Sequence, residues 1–184
     1  MTIMIAIMVM DPLSKIKIIY LNQCDIKKCS GHRLLKLGFA KRIRKQAIKK
    51  AIVLSPTTSI ALSPSDRDIF AEFGLVGIDG SWNQIDTLYS LFSLGTPRAL
   101  PFLVAANTVN FGKPTKLNTA EAIISALWIL GFEQDATRIA KAFKYGQTFI
   151  DLNYDRLDAY SRATDSKEVV RLQKEFMDEL YGED

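Results

Sequence analysis

Apolar positions along the chain fall into two regimes. Up to about residue 90 they gather in short β-branched runs between polar or helical stretches, and from Asn118 onward they recur at helical spacing with almost no strand pattern. Residues 16–21, 51–54 and 75–79 are apolar runs bounded by turn formers, which predicts three buried strands. The clearest helix between them starts at Ser63-Pro64-Ser65-Asp66. There Ser63 caps, Pro64 suits the first helical position, and Asp66 places a negative charge at the positive end of the macrodipole. Gly74 ends that helix. Strand and helix in alternation predict a parallel α/β sheet, whose ligand sites lie beyond the carboxyl ends of the strands. Residues 100–104 form a further strand candidate, which Pro101 restricts to an edge or an irregular loop.

In the second regime, Asn118 and Glu121 make a capping-box pair ahead of a helix over 122–130, closed by Gly131. A second helix is expected from about 134 to 145 with its stop at Gly146, and a third around 149–160. Asp165 and Glu168 open a fourth, amphipathic one through Val169, Leu172, Phe176 and Leu180. Ser-Leu-Gly-Thr-Pro at 93–97 interrupts the pattern, so an α/β lobe over 1–94 and a helical lobe over 95–184 are expected. Residues 1–10 read equally as an extra strand or as a stretch upstream of the structural start. Asp11-Pro12-Leu13-Ser14 has the composition of a linker, which leaves residues 1–15 either inside or outside the core.

With 184 residues, 48% of them apolar and 24% charged, the chain is long and apolar enough to bury a core. The apolar stretch over residues 1–10 falls well short of the roughly 20 residues a spanning helix needs. It also has no basic flank and no small-residue cleavage site, so a cytoplasmic protein without a membrane segment is expected. Cys24, Cys29 and the single His32 cannot fill a four-ligand zinc site without carboxylates, so no metal is expected. Catalysis by a Ser/His/Asp or Cys/His set would have to run through His32 alone.

Charge changes the picture more than composition does. Residues 1–56 hold 12 Lys/Arg against Asp11 and Asp25, a balance of +10, whereas residues 57–184 hold 12 against 18 Asp/Glu, a balance of −6. Ten basic residues lie between Lys27 and Lys50. A solvated helix face accounts for the 41–50 run by itself, but the whole concentration points to a polyanion, nucleic acid first.

No Walker A sequence occurs, and Gly74, Gly77 and Gly80 lack the spacing of a dinucleotide fingerprint, so a helix cap and close packing explain them better. Three loops expose backbone instead. Residues 24–31 follow the first strand and lead into a helix, where free N–H groups can hold a carboxylate or phosphate. Asp79-Gly80-Ser81-Trp82 sets an acid and a large aromatic at the carboxyl edge of the sheet, and residues 107–118 end at another helix N-terminus. Taken singly, each is more simply a turn, a cap or a packing residue.

As an ordered set these segments resemble the small-subunit ribosomal RNA aminocarboxypropyltransferase family. The resemblance is carried by Cys24-Asp25-x-Lys27-Lys28-Cys29-Ser30-Gly31, Leu54-Ser55-Pro56, Leu62-Ser63-Pro64-Ser65-Asp66 and Asp79-x-Ser81-Trp82. It continues through Leu100 to Pro114, Lys116 to Ala122 and Phe143 to Asn153. Asn22, Ile26, Phe111 and Tyr145 depart from the usual acid, proline, tyrosine and tryptophan, in positions that bear on RNA contact more than on cofactor use.

The resemblance implies a knotted RNA-methyltransferase-like fold, with a parallel-sheet N-terminal lobe, an all-helical C-terminal lobe and a trefoil knot. It implies S-adenosylmethionine as cofactor and an aminocarboxypropyl transfer to N3 of a (methyl)pseudouridine in small-subunit ribosomal RNA during ribosome biogenesis. Carried onto matching positions, Ser30 and Thr119 offer backbone N–H groups to the cofactor carboxylate, and Leu54, Ile78, Leu100 and Thr115 line the adenosine pocket. Trp82 packs on the methyl and sulfonium. Asp79 either takes the N3 proton or holds the amino group of the cofactor tail. Lys27, Lys28, Arg33 and Lys36 would meet the RNA. A knotted-fold methyltransferase and a non-catalytic ribosome-assembly protein are the alternatives.

Overall fold

The computed structural model describes residues 10–22, 25, 29–80 and 85–182, so the expectations for residues 1–9, Cys24, Lys27, Lys28 and Trp82 fall on positions outside it. Five strands form one sheet in the order β2-β1-β4-β3-β5: β1 (Ile16–Tyr20), β2 (Lys41–Arg42), β3 (Ile52–Leu54), β4 (Leu75–Asp79) and β5 (Thr96–Arg98). Every pairing is parallel. Between the strands run α1 (Ser30–Lys36), α2 (Arg67–Phe73) and α3 (Ile85–Phe92), and after them α4 (Thr119–Ile129), α5 (Glu133–Ala140), α6 (Gly146–Ser161) and α7 (Ser166–Tyr181). No described helix is long and apolar enough to cross a membrane.

The three predicted strands are β1, β3 and β4. Their alternating side chains feed two cores, as a period of two requires. Ile16, Ile18, Ile52 and Leu75 join the larger core with α1, α2 and the C-terminal helices, while Ile19, Val53 and Val76 join Leu88 and Phe92 on the other face. Burial of each such side chain contributes about 1.5–3 kcal/mol. At the centre of the larger core, α4 is buried on every side from Ile123 to Ile129. It packs over β4 at Gly77, where a Cβ would stand at ordinary contact distance, 3.4 Å from Ile123 and 3.7 Å from Thr119.

Elsewhere the structure departs from the hydropathy reading. Residues 100–104 do not form a strand. An edge strand, β5, forms instead just upstream at the interruption near residues 93–97, with Pro97 tolerated because it borders only Val53. Val104 makes an isolated antiparallel bridge with Pro114. Likewise α5 ends at Ala140, and Gly146 opens α6 instead of stopping the helix before it. A Cβ at position 146 would collide with the carbonyl of Ala140, so this glycine permits a tight α5–α6 corner. The helix expected from Ser63 opens with a 3-10 turn over Pro64–Asp66 ahead of α2, with Ser63 and Asp66 as a capping box in which Ser63 N–H donates to Asp66 Oδ2 at 3.1 Å; at α7 the capping expectation holds, Glu168 N–H donating to Asp165 Oδ1 at 2.9 Å.

Candidate functional site

A cleft of about 830 Å³ opens beyond the carboxyl ends of the strands, a size suited to a small-molecule ligand. The loop after β1 contributes Cys29 and Ser30, β3 and its exit Leu54 and Ser55, and β4 the stretch from Gly77 to Gly80. Ala99, Leu100 and Pro101 follow β5, and the loop ahead of α4 supplies residues 107–110 and 115–119. Ser30, Leu54, Ile78, Asp79, Leu100, Thr115 and Thr119 therefore meet in one cleft, although they come from five separate stretches of sequence.

Its most firmly partnered acid is Asp79, a carboxylate with only 5% of its surface exposed. The Thr119 hydroxyl donates to Oδ1 at 2.6 Å and the Cys29 thiol donates to Oδ2 at 2.9 Å. Cys29 in turn accepts from the backbone N–H of His32 at 3.3 Å as the N-cap of α1. Gly31 completes the seat, because a Cβ there would stand 2.5 Å from Asp79 Cγ. The acid is thus wedged between the first turns of α1 and α4, where the macrodipoles favour a negative charge. Ser30 Oγ accepts from Ala120 N–H at 3.2 Å and links the two turns. As first helical residues, Ser30 and Thr119 have N–H groups without an intrahelical acceptor.

A second buried acid organises the loop ahead of α4. Glu121 is fully buried. Its Oε1 accepts from Ala106 N–H at 2.8 Å, and Oε2 from Asn107 Nδ2 at 2.7 Å and from Asn118 N–H at 2.9 Å. Three donors satisfy a carboxylate that would otherwise be costly to bury. Asn118 completes the capping box by accepting from Glu121 N–H at 3.0 Å and donates Nδ2 to the Tyr145 hydroxyl at 2.7 Å. Burial pushes the Tyr145 phenol up to about 12, so this rim hydroxyl is neutral at physiological pH. Thr115 holds φ +58°, a strained value for a β-branched residue, and its N–H is fixed to the Leu103 carbonyl at 2.9 Å.

Of the expected RNA contacts, Arg33 and Lys36 are exposed on α1. The Arg33 guanidinium donates to the Ala142 carbonyl at 2.8 Å and lies over the Phe143 ring, so it also ties α1 to the α5–α6 corner. Sequence reasoning missed Cys29, Gly31, Asn107, Glu121 and Tyr145 as site-building residues. The 24–31 and 107–118 loops signalled the stretches that hold Cys29, Gly31 and Asn107, and the capping box marks Glu121 as helix-opening, but nothing marks Glu121 as the acceptor for a loop.

Residues 52–177 match the family described as "Ribosome biogenesis protein, C-terminal". A shorter stretch, 14–46, matches "Possible Fer4-like domain in RNase L inhibitor, RLI". A four-iron cluster takes four thiolates, and with only Cys24 and Cys29 in the chain the donor set does not fit one. The 16S rRNA aminocarboxypropyltransferase of Methanocaldococcus jannaschii is 38% identical over 170 residues, which cover 91% of this chain and 99% of that protein. That of Methanopyrus kandleri is 43% identical over 163 residues, 87% of this chain and 96% of the relative. The structure of the SAM-dependent rRNA:acp-transferase Tsr3 from Vulcanisaeta distributa superposes with a TM-score of 0.79 at 32% identity, covering 92% of this chain and 99% of that one. A parallel sheet whose carboxyl edge seats a buried acid between two helix N-termini is thus found in a chain with full-length relatives of one kind, and the chain belongs to the 16S rRNA aminocarboxypropyltransferase family.

Proposed function

We propose that the protein transfers the 3-amino-3-carboxypropyl group of S-adenosylmethionine to N3 of a (methyl)pseudouridine in small-subunit ribosomal RNA, in the cytoplasm, during subunit assembly. The observation that carries this reading is the seat of Asp79, a fixed negative charge beside the N–H groups of Ser30 and Thr119. Such a pairing complements both the ammonium and the carboxylate of an amino-acid tail. Leu54, Ile78 and Leu100 give the same cleft an apolar wall for an adenosine.

When bound, the cofactor supplies a sulfonium that activates its three attached carbons, and attack by N3 on the γ-carbon breaks the carbon–sulfur bond and leaves methylthioadenosine. The choice among those carbons is a matter of which one the pocket presents. Ser30 and Thr119 hold the carboxylate end, and Trp82 covers the methyl group by cation–π and apolar contact. Asp79 anchors the amino group: one lone pair on each oxygen is already occupied by Thr119 or Cys29, and the others are left for a third partner. The N3 proton passes to Asp79 or to water. Phosphates of the RNA meet Lys27, Lys28, Arg33 and Lys36. The two-lobe, trefoil-knotted layout implied by the resemblance belongs to the same proposal.

Incubation of small-subunit RNA with carboxyl-labelled and with methyl-labelled cofactor tests the reading. Carboxyl label in the RNA, with methylthioadenosine released, is expected. Methyl label with S-adenosylhomocysteine would make the protein a methyltransferase, and no label together with no cofactor binding in calorimetry would make it an assembly factor.

A further inference from the structure

The cleft has one wall that the chemistry above leaves unused. Between Val104 and Thr115 the chain makes a tight antiparallel excursion at the cleft mouth, and its tip carries Val109 and Phe111, 72% and 65% exposed. Scattered exposed apolar residues are ordinary. These two differ because the backbone beneath them is over-determined. Asn107, 4% exposed, accepts at Oδ1 from the N–H groups of Val109 at 3.2 Å and Asn110 at 3.0 Å, while its Nδ2 donates to Glu121. Gly112 N–H donates to the Ala105 carbonyl at 2.8 Å, and Ala105 N–H to the Lys113 carbonyl at 3.1 Å. The turn is closed by Gly112 at φ +75°, a conformation natural to glycine.

An aromatic ring presented to water on a rigid loop loses little conformational entropy when it is covered. Its position names the occupant. Val109 lines the cleft itself, and exposed Lys113 and Lys116 flank the tip, so the surface offers an apolar plane beside positive charge at the entrance to a site built for small-molecule chemistry. A nucleobase attached to a phosphodiester has that combination of π face and negative charge. The N3 position of a uridine-type base is engaged in base pairing, so the base must enter unpaired and needs a surface to stack on outside the helix.

We propose that the 107–114 loop is a pre-formed docking platform for the substrate RNA, on which Phe111 stacks against a nucleobase at the cleft mouth. This rests on the functional reading above and adds to it the residue that positions the RNA. Binding of a small-subunit rRNA oligonucleotide is followed by fluorescence anisotropy, independently of turnover, alongside KM and kcat for transfer.

Phe111→Ala is expected to weaken RNA affinity and raise the RNA KM about 5- to 150-fold, the range for loss of one stacked base, with kcat and cofactor affinity nearly unchanged. Phe111→Trp and Phe111→Tyr should restore binding, whereas Phe111→Leu, apolar but without a π face, should remain defective. Because the ring is mostly exposed, thermal melts should be unaltered, and circular dichroism identifies any variant that misfolds. RNA affinity within twofold of wild type for Phe111→Ala, or full rescue by Phe111→Leu, would overturn the proposal. If the wild-type protein transfers nothing, the functional reading fails, while the anisotropy series still decides whether Phe111 stacks on RNA.

Discussion

At the residue scale, the site depends on how closely Gly31 and Asp79 approach. A methyl group at position 31 would overlap the carboxylate, so Gly31→Ala must push Asp79 out of its seat or part α1 from β4. We expect about 1–3 kcal/mol of destabilisation, typical of overpacking, with a loss of transfer much greater than the loss of folded protein. Gly77→Ala is the control, because a Cβ there would make ordinary contact with Ile123. Melting curves and transfer assays on both variants check the contrast. Asp79→Asn keeps the shape and removes the charge, and it is expected to lower cofactor affinity and turnover together, as befits an anchor for an ammonium. Calorimetry and labelled transfer read the two effects, and a variant with the wild-type transfer rate would remove Asp79 from the chemistry.

At the element scale, the parallel register sets Lys17 directly beside Lys41. Burial first, and then the charges of Lys15, Lys49 and Lys41, hold the Lys17 ammonium below the ordinary lysine range. None of the ion pairs among the described residues involves these four lysines. Like charges on neighbouring strands repel, so Lys41→Gln should stabilise the fold by roughly 0.2–1 kcal/mol at low ionic strength. The gain should shrink in salt, as denaturant titrations at two salt concentrations would read. This edge also marks the limit of what hydropathy reveals. β1, β3 and β4 are legible as buried runs, and α4 and α7 are legible from their caps. β2, Lys-Arg, and β5, Thr-Pro-Arg, have no intrinsic strand character and form only because β1 and β3 offer them a free edge. The same holds in the site: Ser30 and Thr119 are recognisable as helix openers, but the bonds from Cys29 and Thr119 to Asp79 span 50 and 40 residues, and no local pattern encodes them.

At the scale of the whole molecule, α6 and α7 fasten the irregular chain after β5 and the loop between β3 and α2. Tyr160 donates its hydroxyl to the Phe102 carbonyl at 3.1 Å, Gln173 Oε1 accepts from Phe102 N–H at 3.1 Å, and Ser166 Oγ accepts from Ala61 N–H at 2.8 Å. Burial raises the Tyr160 phenol well above its ordinary value and Tyr145 to about 12. In the unfolded chain both ionise near 10, so above that pH the folded state retains protons that the unfolded state has lost, and stability falls as pH rises. Below pH 10 neither contributes a slope; from 10 to about 12 each costs about 1.4 kcal/mol per pH unit. Thermal melts between pH 8 and 11 should show this decline, and Tyr160→Phe should make it shallower while lowering stability at neutral pH by about 1 kcal/mol for the lost hydrogen bond.

The bonds that converge on Asp79 also impose an order of events. Asp79 leaves the ribosome 40 residues ahead of Thr119, an interval of about 2–8 s at synthesis rates of roughly 5–20 residues per second. Throughout that interval the carboxylate has only the Cys29 side of its seat, and β4 lacks the α4 cover that Gly77 accommodates. On the proposed reading of this seat, ligand-binding competence therefore arrives late in the birth of the protein, only once α4 has been made and has docked on β4.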